Sequence, residues 1–216
     1  MELRHCPAPH LRPGGHGRRV RSAVAAVIGW LWLGAAAAMA QDDVASRQAP
    51  GLSFGANDVA FLNLMGNLEA PHGFDAVSGF APAPPPRPLT DMTLSEVIAY
   101  QEQLRAMGTV SSAVGRYQFI YLTLRDLVER HGISGELVFD GEVQTYLARF
   151  LMHDCGFYDP RTPPAPLADC LATIWAALPV VSGPRAGQSF YGEDGINRAL
   201  TEPALVLRVL EDRFRW

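Results

Sequence analysis

The sequence predicts an α+β fold that is mostly helical, with one small β or irregular segment around residues 72–80. Three observations carry this. Apolar residues recur with helical spacing in successive segments. Capping residues, glycines and prolines punctuate those segments. One short aromatic, glycine-bearing stretch, followed by a proline-rich run, interrupts the helical pattern.

The elements follow in order. Asn57 is placed as an N-cap, and Phe61, Leu64, Met65 and Leu68 form an i, i+3, i+4, i+7 series. Glu69 comes next, and Pro71 with Gly73 stops the helix. Residues 72–80 suit a hairpin or loop, and residues 81–88 (APAPPPRP) must be extended. Thr93-Leu94-Ser95-Glu96 is a capping box that opens a helix running to about Gly108. Residues 111–118 follow, then a helix from Phe119 to about Arg130, closed by Gly132. Asp140 caps a helix whose inner face is Val143, Leu147, Phe150 and Leu151. Pro166 opens another through Leu171, Ile174 and Trp175, ended by Pro179. Residues 183–192 are a loop, and Thr201 caps a last helix with Leu205, Val209 and Leu210 facing inward.

Residues 1–40 read as a signal peptide rather than as fold. Arg18, Arg19 and Arg21 precede an apolar run from Ala23 to Leu33, and Ala38-Met39-Ala40 is a small-x-small cleavage pattern. The run is shorter than the ~20 apolar residues a membrane span needs. Residues 41–52 are a polar, flexible lead-in, and residues 53–216 are expected to form one catalytic domain. Five of the 18 basic residues and one of the 22 acidic ones lie in residues 1–40, which leaves 13 against 21, a net of −8. That balance argues against nucleic acid as a partner. Every basic residue is Arg, so lysine-nucleophile and Schiff-base chemistry are excluded. Cys155 and Cys170 form an even pair in a chain expected to reach an oxidising compartment, where either a disulfide or two buried thiols fits. These cysteines and His72, His131 and His153 show no metal-ligand spacing, so neither metal nor cofactor is expected.

The chemistry centres on Glu69. Cleavage of a glycosidic bond needs a proton donor to the leaving oxygen. A carboxylic acid does this near neutral pH when an apolar setting raises its pKa. Leu68 and Met65 offer such a setting, although an ordinary exposed helix-terminal glutamate fits the local pattern too. Asp75 is the nearest second carboxylate, either a nucleophile or a loop organiser. Residues 111–118 (SSAVGRYQ) mix small residues, a cation, an aromatic ring and an amide. Arg116, Tyr117 and Gln118 suit a sugar clamp, with Gly115 allowing close approach. A helix start capped by Ser112, with Tyr117 in the core, fits equally well. Trp175 is either core or the wall of a cleft.

Four blocks in the same order resemble the phage lambda endolysin family. Residues 61–69 (FLNLMGNLE) resemble the helix carrying that family's catalytic Glu, and residues 73–79 (GFDAVSG) its Gly-Tyr-Asp-Val segment. Residues 112–118 (SAVGRYQ) resemble its Gly-Arg-Tyr-Gln signature. Cys170 with residues 174–179 (IWAALP) resembles its Cys…Ile-Trp-Ala-Ser-Leu-Pro block. The sequence departs from the family pattern at Leu68 and Ala70, in a shorter loop after Glu69, and in the proline-rich run.

The resemblance implies a lysozyme-like fold with a small β region beside a cleft. It also implies a lytic transglycosylase that cuts the β-1,4 bond between N-acetylmuramic acid and N-acetylglucosamine without water. Glu69 would then be the single acid and base. Asp75, Ser112, Arg116, Tyr117, Gln118, Trp175, Gln188 and Tyr191 are its candidate substrate contacts. The alternatives are a hydrolytic muramidase using Glu69 and Asp75, a non-catalytic peptidoglycan-binding protein or scaffold, and an enzyme acting on another polymer such as chitin. The leader, with the resemblance, points to a periplasmic enzyme whose partner is peptidoglycan. An envelope secretion, flagellar or division complex is a further candidate partner. No stable membrane span is expected after cleavage.

Overall fold

In the computed structural model, residues 57–215 are described. The expected leader and lead-in lie outside these residues. Six α-helices carry the fold: α1 (Asp58–Glu69), α2 (Leu94–Ala106), α3 (Tyr121–His131), α4 (Gly141–Asp154), α5 (Pro164–Ala172) and α6 (Pro203–Glu211). Short 3₁₀ turns stand at Leu89–Asp91, Gly192–Asp194 and Asp212–Phe214.

Local signals set most boundaries. Thr93 Oγ1 accepts from the Glu96 N–H at 3.3 Å and Glu96 returns a bond to the Thr93 N–H at 2.8 Å, so the capping box forms. Asp140 Oδ1 accepts from the Val143 N–H at 2.9 Å and starts α4. Gly132 adopts left-handed angles and closes α3. Asn57 precedes α1 but does not cap it. Its side-chain amide instead donates to the Arg215 carbonyl at 2.6 Å, tying the start of α1 to residues after α6.

Several expectations change. The helix placed from Phe119 begins at Tyr121, because residues 114–119 form a tight turn. α5 starts two residues before Pro166, with Pro164 at its first position, and ends at Ala172. Ile174 and Trp175 therefore lie in the turn beyond it. In α6 the buried stripe is Val206 and Leu210, whereas Leu205 is exposed and Val209 half-buried. Glu202, not Thr201, stands at the N-cap position of α6, whose first residue is Pro203, and of the expected inner residues Leu210 alone is fully buried.

The small β region is absent as a sheet among the described residues. Isolated antiparallel bridges pair Val77 with Val114, Val114 with Phe119, Thr93 with Val138, and Pro179 with Ser189. Turns on either side of Val77 keep the pairing short, with the Ala76 N–H closing on the Gly73 carbonyl at 3.3 Å and the Ala81 N–H on the Ser78 carbonyl at 3.0 Å, and the run of five prolines between positions 82 and 88 follows. That run packs on α2 instead: the Tyr100 hydroxyl donates to the Ala83 carbonyl at 2.7 Å, and Arg87 pairs with Glu96.

The core is built from Phe61, Met65, Leu94, Leu104, Leu124, Leu127, Leu147, Phe150, Leu171 and Leu210, with aromatic rings between them. Phe61 contacts Phe157 and Trp175 with centroids 5.4 and 5.9 Å apart. A row of edge-on rings, Phe74, Tyr117, Phe119 and Phe139, runs inward from the loop after α1. A buried carboxylate also belongs to this interior. Asp58, 1% exposed, accepts from Arg149 Nε at 2.7 Å and the Tyr158 hydroxyl at 3.0 Å, anchoring the start of α1 to α4.

Cys155, after α4, is joined to Cys170 in α5 by a disulfide, with Cα atoms 5.7 Å apart. Closing a loop of this size restricts the unfolded chain and contributes roughly 3 kcal/mol. Replacing both cysteines by Ala is expected to lower the melting temperature. Adding reductant to the intact chain should lower it similarly, and should leave the variant unchanged.

Candidate active site

Glu69 is the last residue of α1. The helix stops there because Ala70 leaves helical angles (φ −149°, ψ 78°) and Pro71 follows. The Ala70 N–H still closes on the Gly66 carbonyl at 3.1 Å, which steadies the final turn. Glu69 is half-buried, and one carboxylate oxygen accepts from the Ala177 N–H at 3.2 Å. Burial raises its pKa from 4.5 to about 7, and the Ala177 hydrogen bond offsets only part of that effect. The group is thus poised to hold or release a proton near neutrality.

The segment opposite is a four-residue turn. Val114 and Phe119 exchange both backbone hydrogen bonds, at 2.9 and 3.1 Å, and enclose Gly115, Arg116, Tyr117 and Gln118. Gly115 (φ +75°) and Gln118 (φ +47°) take left-handed angles. The Gln118 side chain folds back to donate to the Gly115 carbonyl at 2.8 Å.

Two fully buried glutamines hold this turn. From α4, Gln144 accepts the Arg116 N–H at 2.8 Å and donates to the carbonyls of Phe74 and Phe139. From α2, Gln101 donates to the carbonyls of Ser112 and Phe119 at 2.8 and 2.7 Å. Neither glutamine was among the candidate residues. The sequence does carry a signal for both: Gln101 shares the buried stripe of Val97 and Leu104, and Gln144 that of Leu147 and Leu151. A polar residue in an apolar stripe has to bond to something buried.

Gly115 is fixed twice over. Its φ disfavours a side chain, and a Cβ there would lie 2.4 Å from Gln144 Oε1. Gly115→Ala is expected to cost about 1–3 kcal/mol, read as a lowered melting temperature, whereas Gly79→Ala, in open space, should cost far less.

The expected site residues divide into three groups. Arg116 is brought against the last turn of α1, which ends in Glu69, and Gln118 closes the turn that carries Arg116. Trp175 Nε1 donates to the Tyr117 carbonyl at 3.1 Å, two residues before the amide that meets Glu69, so the 175–177 segment joins them. Arg116 lies against α1, bonding Asn67 Oδ1 at 3.2 Å and covering Gly66.

A second group is structural. Tyr117 and Trp175 are each 3% exposed and belong to the core, so neither offers a face for a sugar ring. The Tyr117 hydroxyl bonds with Thr145 Oγ1 at 3.2 Å. Ser112 is buried, and its hydroxyl caps α3 from outside by accepting the Tyr121 N–H at 3.1 Å. Asp75 is exposed and accepts the Thr90 N–H at 2.8 Å, the loop-organising role.

A third group sits on the 179–192 loop. Gln188 is exposed, with its backbone carbonyl accepting the Val180 N–H at 2.8 Å. Tyr191 is half-buried, and its hydroxyl donates to the Thr173 carbonyl. Two concavities lie elsewhere. One of about 470 Å³ is lined by Asp169, Thr173, Arg185 and Phe190, and one of about 430 Å³ by Val59, Ala60 and Arg208; Glu69 lines neither.

No protein-family model, curated protein or solved structure matches the chain.

Proposed function

We propose that the chain is a peptidoglycan lytic transglycosylase with a lysozyme-like fold, in which Glu69 is the single acid and base. The observation that carries this reading is the Glu69 carboxyl. It is desolvated, titrates near 7, and stands where the end of α1, the 114–119 turn and the 175–177 segment converge. The ordered resemblance of four sequence blocks supports it.

In this mechanism protonated Glu69 gives its proton to the glycosidic oxygen as the bond to muramyl C1 breaks. The resulting carboxylate then takes the proton of the muramyl C6 hydroxyl. The C6 oxygen closes onto C1 and forms the 1,6-anhydro ring. The proton returns to Glu69, so the cycle balances without water. The Ala177 N–H stabilises the carboxylate midway. A second carboxylate is not required, and Asp75 is already engaged by the Thr90 amide.

We place the enzyme in the periplasm, exported by the leader, with peptidoglycan strands as its partner. The Cys155–Cys170 disulfide fits an oxidising compartment.

The test is digestion of purified sacculi followed by mass spectrometry. Products carrying a 1,6-anhydro end, lighter by one water than reducing-end products, are expected. Reducing-end products would replace this reading with a hydrolytic muramidase. Binding without release of either product would leave a non-catalytic wall-binding protein.

A further inference from the structure

Arg116 differs from five other arginines of the fold. Arg87, Arg130, Arg149, Arg161 and Arg185 each pair with a carboxylate. Arg116 has no carboxylate within ion-pair reach among the described residues. Its side chain makes one hydrogen bond, from Nη2 to Asn67 Oδ1 at 3.2 Å.

Its guanidinium is nevertheless held in place. It lies flat against α1 at Gly66, where an added Cβ would come within 2.2 Å of Nε. The Phe74 ring stands 5.6 Å from it. The backbone N–H of the same residue is fixed by Gln144. Arg116 is half-buried, and its remaining N–H donors are not among the buried unpaired groups, so they face solvent. Gly66 is three residues before Glu69, and residues at i and i+3 share a helix face. The cation therefore sits one helical turn from the proposed acid, on the same side of α1.

A fixed, unneutralised guanidinium with free planar donors is suited to a carboxylate, which it meets with two parallel hydrogen bonds. The net −8 of residues 41–216 sharpens the point, because an anionic strand gains nothing from the overall charge and needs a local cation. We propose that Arg116 is a specificity-determining residue that reads a carboxylate on the strand beside the bond Glu69 cleaves. This rests on the reading of Glu69 as the acid of a glycan-cleaving site. The carboxylate belongs either to a peptide-free muramyl lactyl group or to a stem peptide.

The experiment measures binding in an inactive Glu69→Gln background, alone and combined with Arg116→Gln or Arg116→Lys. Three ligands are compared: glycan strands stripped of peptide, strands with intact stem peptides, and N-acetylglucosamine oligomers, which lack a carboxylate. Arg116→Gln is expected to weaken binding to a carboxylate-bearing strand roughly tenfold to a hundredfold, the loss of a charge-assisted contact. Binding to the oligomers should change little. The affected strand type identifies the carboxylate, and Arg116→Lys should recover part of the loss. Added salt should weaken the Arg116 protein more than the Gln variant.

Equal weakening on all three ligands, or none on any, overturns the proposal. So does a failure to bind carboxylate-bearing strands at all. Turnover by the unmodified chain is scored separately. Discrimination through Arg116 without turnover would sink the cleavage reading and keep this one.

Discussion

Glu69→Gln is expected to abolish release of anhydro products while the protein stays folded. The substitution keeps the shape of the side chain and removes its proton chemistry. General acid catalysis contributes roughly 10²–10⁴-fold, and the same residue acts twice in the proposed cycle, so the loss should reach the upper end of that range. Melting curves of both proteins separate lost chemistry from lost fold. Anhydro products released by the Gln variant at an undiminished rate would rule out Glu69 as the acid. Asp75→Asn provides the contrast: its carboxylate holds the Thr90 amide, so the change should lower stability modestly without changing the product.

The second large effect is a dependence on pH that acts on activity and stability together. The first step needs Glu69 protonated, so activity should fall as pH rises through about 7. The same shift sets the direction for stability. Folded Glu69 keeps its proton up to about 7, whereas the unfolded residue gives it up near 4.5. Between those values the folded state binds more protons than the unfolded state, so stability declines as pH rises. The shift corresponds to at most about 3 kcal/mol, reduced because the group is partly open to water. Glu69→Gln removes this burden. The variant should therefore melt above the parent at pH 8 and match it near pH 4. A parent that melts at or above the variant at both pH values would show that burial does not strain the carboxylate.

Legibility in the sequence followed the range of the forces involved. Short-range signals placed helices well: the Thr93–Glu96 box, the Asp140 cap and the Gly132 stop all form. Glu69 fell at a helix end because Pro71 closes the segment. Signals that depend on distant partners misled. Pro166 marked α5, yet Pro164 takes the first position and the helix ends before Trp175. Tyr117 and Trp175 look like sugar platforms by residue type, but a hydrogen bond between them, spanning 58 residues, keeps both in the core. The Asp58, Arg149 and Tyr158 cluster joins residues 91 and 100 positions apart, and no local pattern marks it. Of the candidate site, the acid and the cation were visible as residue types. The turn that presents the cation was not, because its shape depends on amides supplied by α2 and α4.

Those two amides reverse the usual relation between burial and tolerance to substitution. In most cores an apolar side chain accepts an apolar replacement of similar size at small cost. At positions 101 and 144 a Leu or Met would fit the surrounding stripe but would take a hydrogen-bond partner from the carbonyls of Ser112, Phe74 and Phe139 and from the Arg116 N–H. In a saturation library selected only for folding, these glutamines should stand out as narrow columns among permissive hydrophobic neighbours. The 114–119 turn would then leave its imprint on two buried side chains of separate helices, neither of which reaches the surface.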